Sequence, residues 1–149
     1  MPLPGAISGV NSMVKITGTY QGGLRCAANH EPSGSALVTD APKDNHGLGA
    51  AFSPTDLVAA ALATCVATTM ALAARKHGVE LGAFRYEVTK ETSADTPRRI
   101  ARLALRVWLP AEANKLPPGT LEAAAHGCPV HRSLAPEVEK PIEFVPAIG

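Results

Sequence analysis

The residues best equipped for chemistry in this 149-residue chain are its three cysteines, at positions 26, 65 and 128. Cys128 sits in the stretch HGCPVHRSL, directly before Pro129 and followed within five residues by His131, Arg132 and Ser133. A cysteine that caps a helix beginning with proline presents its sulfur to unpaired backbone N–H groups and to the positive end of the helix dipole. That setting favours the thiolate, the nucleophilic form. The same segment equally suits an unreactive small residue at a helix start. Cys65 lies among alanines in LVAAALATCVATTMALAA, Leu57 to Ala74, where a cysteine ordinarily serves as a small hydrophobe. At mid-helix it gains nothing from the dipole. To react it needs a cation from elsewhere, and a guanidinium, permanently charged with several fixed donors, is the best candidate. Cys26 follows Arg25 in a predicted strand, so the two side chains point to opposite faces, and Cys26 reads as structural. Among the five histidines and three cysteines neither a C-x-x-C nor an H-x-x-x-H pair occurs, and no metal is expected.

The elements that must position these residues are marked by turn and cap signals. Val14 to Tyr20, Gly23 to Asn29 and Ser35 to Asp40 read as three short strands of an antiparallel meander. The Pro/Gly/Asn-rich loop APKDNHGLGAAF, Ala41 to Phe52, leads into a long helix. Ser53 suits its N-cap, Pro54 its first position, Asp56 the third position of a capping box, and Gly78 its stop after about Lys76. Helical spacing places Val58, Ala61, Leu62, Cys65, Thr68, Thr69 and Leu72 on one stripe, with Cys65 at its middle, buried or at an internal interface. Leu81 to Thr92 and Arg98 to Leu109 read as a hairpin around SADTP. Thr120 caps a short helix to about His126, Gly127 breaks it, Cys128 to Leu134 begins another turn, and Val138 to Val145 forms a last strand that Pro141 puts at an edge. Strands flanking helices without βαβ repetition define an α+β fold in a single domain over residues 1–149.

Composition narrows the partners. Lys and Arg number 14 against 13 Asp and Glu, so no net charge draws the chain to nucleic acid or to an anionic membrane. The 18-residue uncharged run Leu57–Ala74 has eight alanines and is closed by Asp56 and Arg75, which fits a fully buried helix better than a membrane span. An odd cysteine count and no basic, apolar leader before Lys15 point to a reducing cytoplasm.

The paired segments SPTDLVAAALATC, Ser53 to Cys65, and CPVHRSL, Cys128 to Leu134, resemble the OsmC/Ohr family, which comprises osmotically inducible protein C and the organic hydroperoxide resistance proteins. The resemblance runs from the N-terminal meander to the last strand. It implies an intertwined homodimer with active sites at the subunit interface, acting as a thiol-dependent peroxidase without a cofactor. Carried over, Cys65 is the peroxidatic cysteine and Cys128 the resolving one. YQGGLRC supplies Arg25, beside a Gly-Gly pair, as the arginine that stabilises the thiolate. The hydroperoxide-resistance branch has glutamate directly after the proline of the helix motif. Here Thr55 stands there, with Asp56 one residue later, as in other branches of the family. Asp56 either pairs with Arg25 or only caps the helix.

The implied partners are an alkyl or fatty-acid hydroperoxide and an external dithiol of thioredoxin or lipoyl type. A second reading keeps the fold and replaces the chemistry, with an interface pocket that binds a small apolar ligand.

Overall fold

A computed structural model describes residues 12–147. Residues 1–11, on which the expectation of no leader rests, lie outside them. The chain divides into two compact units, one ending at Pro54 and the other beginning at Thr55.

The first unit is a three-stranded antiparallel meander, β1 (Ile16–Gly22), β2 (Arg25–His30) and β3 (Ala36–Asp40), in that order across the sheet. The β1–β2 turn passes through Gly22 and Gly23 at φ 83° and 61°, left-handed backbone that glycine adopts without strain. Loop 41–52 then folds back on itself. Pro42 accepts from the N–H groups of Asn45 and Gly47, and Ala41 from Gly49. A Cβ at Gly47 would overlap the Ala41 carbonyl, so this turn requires glycine.

Helix α1 (Pro54–Lys76) begins and ends where the sequence predicts, with Gly78 at φ 72° after it. The second unit adds β4 (Arg85–Thr92), β5 (Ile100–Trp108), α2 (Thr120–His126), α3 (Pro129–Ser133) and β6 (Ile142–Val145). β4 and β5 form the expected hairpin, and β6 joins as an edge strand running parallel to β5, Leu105 against Ile142. The cap of α2 is Gly119 rather than Thr120, whose hydroxyl instead donates to the Pro117 carbonyl.

The hydrophobic core belongs to the second unit: Leu62, Val66 and Met70 of α1, Leu103, Leu105 and Val107 of β5, and Leu121 and Ala125 of α2, joined by Cys128. Two expectations about α1 are corrected here. Its buried stripe is Ala59, Leu62, Ala63, Val66, Met70 and Ala74, rotated from the one expected, and Thr68 and Leu72 face out. Nor is the helix fully buried; only about a third of its most apolar stretch is. A helix apolar on nearly every side carries little periodic signal, so spacing alone cannot choose the face it buries.

Candidate functional site

Cys65 stands half-buried at the edge of the α1 stripe, packed against the core. One turn further on, the Thr69 hydroxyl lies 4.0 Å from its sulfur. Cys128 caps α3 as its sequence suggests, with extended backbone (φ −66°, ψ 146°), Pro129 following, and its sulfur accepting the His131 backbone N–H at 3.3 Å. The fold thus brings together two cysteines that are 63 positions apart in sequence. Both are free thiols, near enough for Cys65 to act on the ionisation of Cys128.

That ionisation runs against the sequence expectation. Cys128 is wholly buried, and burial pushes its thiol up. The His131 and Val130 backbone N–H groups pull it down, while the Cys65 thiol adds to the rise, and the balance is upward. Cys128 is therefore held as a neutral thiol rather than a standing thiolate.

The polar residues after Cys128 do not offset this. His131 itself is pushed below its ordinary range, first by burial and then by Lys140 and His126, whose ring meets its own edge-on at 5.6 Å. Its ring is neutral at neutral pH, so what reaches the sulfur is a backbone dipole. Ser133 spends its hydroxyl on the Pro129 carbonyl at 2.8 Å, and Arg132 is exposed.

At the start of α1, Asp56 forms an ion pair with Lys90 of β4 at 2.8 Å, and the same ammonium donates to the Thr55 hydroxyl at 2.7 Å. Lys90 is the residue that sequence reasoning missed. The available signal was β-alternation, which puts Lys90 on the inward face of β4 with Val88 and Thr92, where an ammonium requires an acceptor. Arg25 lies in the first unit, half-buried at the start of β2, with its Nε buried and unbonded. Cys26, half-buried, follows it.

A groove of about 760 Å³ runs between the C-terminal half of α1 and α2, lined by Thr69, Leu72, Ala73, Ala123 and Gly127, with Arg75 and Lys76 beside it. Thr69 is the neighbour of Cys65, and Gly127 directly precedes Cys128. Among the described residues no cluster of three or more potential metal ligands occurs.

Comparison with known proteins agrees with a fold of a meander, a long helix and a second sheet with short C-terminal helices. The model of the OsmC-like protein family matches residues 46–142, and the chain belongs to that family. It is similar to a Psychrobacter arcticus 273-4 protein named provisionally for osmotic stress induction and detoxification response, at 36% identity over 91% of this chain and 98% of that one, with a TM-score of 0.80. An organic hydroperoxide resistance protein OsmC from Legionella pneumophila shares the fold at 18% identity, covering 91% and 98% of the two chains, TM-score 0.70. One from Elizabethkingia anophelis does so at 15%, covering 93% and 99%, TM-score 0.74. Among proteins of curated function, none matches.

Proposed function

We propose that the protein is a cofactor-free cysteine peroxidase in which Cys65 attacks a hydroperoxide and Cys128 resolves the product. The observation that carries this reading is the convergence of two free thiols, one partly accessible and one fully buried and held neutral. The Cys65 thiolate attacks the terminal oxygen of ROOH. The O–O bond breaks, Cys65 keeps the terminal OH as a sulfenic acid, and the alkoxide RO⁻ leaves and takes up a proton from solvent as ROH. The Cys128 sulfur then displaces hydroxide from it, forming a disulfide and releasing water, and an external dithiol returns both cysteines to thiols. A resolving thiol need not be a standing thiolate, so the raised pKa of Cys128 suits this division of labour.

In this reading Arg25 stabilises the Cys65 thiolate, Asp56 is held at the start of the helix by Lys90, and the groove beside Thr69 and Gly127 receives the alkyl part of the peroxide. The working form is a homodimer in a reducing cytoplasm, in which a second copy covers the exposed apolar side of α1 and the exposed Ile16, Tyr20 and Phe52 of the first unit. That hydroperoxide resistance proteins share the fold supports the reaction class. The test is cumene hydroperoxide consumption with a dithiol present: Cys65→Ser abolishes it, and turnover at the wild-type rate would contradict the mechanism.

A further inference from the structure

Two threonines of helix α1 use their hydroxyls differently. A helical threonine commonly donates to a carbonyl one turn back, and Thr64 does so, to Ala60 at 2.8 Å and to Ala61 at 3.2 Å. Thr69 does not. Among the described residues the only polar atom its hydroxyl meets is the Cys65 sulfur, 4.0 Å away and one turn earlier on the same face. Thr69 is half-buried and lines the groove of about 760 Å³ between α1 and α2. One side chain thus touches both the proposed nucleophile and the space assigned to the peroxide.

At 4.0 Å the hydroxyl is too far from the sulfur to spend itself in a strong bond, but it is well placed to share a third atom with it. An oxygen about 2.7–2.8 Å from the Thr69 Oγ1, the usual hydroxyl hydrogen-bond length, and about 3–3.5 Å from the Cys65 Sγ, the separation of atoms poised to react, closes a triangle on that side. A hydroxyl both donates and accepts, so it can bind the terminal OH of a hydroperoxide and later the OH of a sulfenic acid. The other polar side chains of the groove are committed or distant. Thr120 donates to the Pro117 carbonyl, Arg75 pairs with Glu80 at 2.7 Å, and Lys76 lies about two turns beyond Thr69.

We propose that Thr69 is a catalytic residue whose hydroxyl holds the oxygen transferred to Cys65: the terminal peroxide oxygen while the sulfur attacks it, then the same oxygen on the sulfenic acid. Thr69 forms no covalent bond. As the O–O bond breaks, its electron pair leaves with RO⁻, and the OH that stays on sulfur remains hydrogen-bonded to Thr69. When the Cys128 sulfur displaces that oxygen, Thr69 donates to it as it departs as hydroxide, which takes up a proton to become water. This deepens the proposed function and rests on the role given there to Cys65.

The test compares the wild-type chain with Thr69→Val, which exchanges the hydroxyl for a methyl of similar shape, and with Thr69→Ser, which keeps it. Two rates are read on the Cys65 peptide of the reduced protein by mass spectrometry. One is oxidation by cumene hydroperoxide; the other is alkylation by iodoacetamide, which brings no oxygen to the sulfur. In Thr69→Val oxidation falls about tenfold, the scale of one hydrogen bond to an atom that gains charge, while alkylation stays within about twofold of wild type. Thr69→Ser recovers most of the lost oxidation rate. Unchanged oxidation in Thr69→Val overturns the role. An equal fall in both rates overturns it too, because the side chain then acts on the sulfur or on the fold and not on the oxygen. Wild-type Cys65 left unoxidised by cumene hydroperoxide refutes the peroxidase reading itself, and the role of Thr69 with it. If Thr69→Val fails to fold, Thr69→Ala carries the same comparison.

Discussion

At Cys128 opposing forces act on one sulfur: burial disfavours the thiolate, the N–H groups of His131 and Val130 favour it, and burial prevails. Because the folded pKa is raised above the unfolded one, folding is stabilised while the thiol is protonated in both states. That stabilisation is complete below the unfolded thiol pKa of about 8.5 and is lost as pH climbs through the folded value. Urea midpoints should therefore fall at alkaline pH, and fall less in Cys128→Ala; equal alkaline losses would count against the raised thiol. The Cys65 thiol contributes to the rise, so in a Cys26→Ser background Cys65→Ala should bring Cys128 back toward the ordinary range, read as thiolate absorbance in a pH titration. The cap itself was legible in Cys-Pro. Burial was not, because a cap motif specifies backbone direction and says nothing of the core that covers it.

Among the elements, α1 shows most clearly where sequence stops informing. Pro54 and Gly78 fixed its limits, since caps are local chemistry, but its buried face depends on which side meets β5 and α2. Leu62 is the test of that face. Leu62→Ala should cost about 2–5 kcal/mol in urea unfolding, and the exposed Leu72→Ala about 0.5 kcal/mol or less. Similar costs at the two positions would contradict the assigned face. The Lys90–Asp56 contact was invisible to a reading that sought Arg25 or a cap for Asp56, since it joins residues far apart in sequence. Lys90→Met should cost about 1–2 kcal/mol, discounted from a fully buried pair because Asp56 keeps 42% of its side-chain surface exposed. Stability unchanged within error would remove Lys90 as an anchor of the helix start.

For the whole molecule, the distribution of burial matters more than its amount. All the buried hydrophobic residues described lie in the second unit, whereas the residues buried in the first are Thr39, Asp40 and Ser53. The α+β class and the strand order of the meander follow from turns and alternation, which are local; a surface completed by another copy of the chain leaves only unexplained apolar exposure. The proposed homodimer should sediment at twice the chain mass, and Leu72→Glu on the open side of α1 should shift it toward monomer. A wild-type protein that stays monomeric at micromolar concentration would contradict it. The central claim is the reaction between two thiols that the fold brings together. The most direct test treats the reduced protein with one equivalent of cumene hydroperoxide, blocks residual thiols and maps the peptides by mass spectrometry. A linked Cys65–Cys128 pair lighter by two hydrogens is expected, with sulfenic acid trapped on Cys65 in Cys128→Ser. Oxidation at Cys26 alone, or no peroxide-dependent change at Cys65, would contradict it.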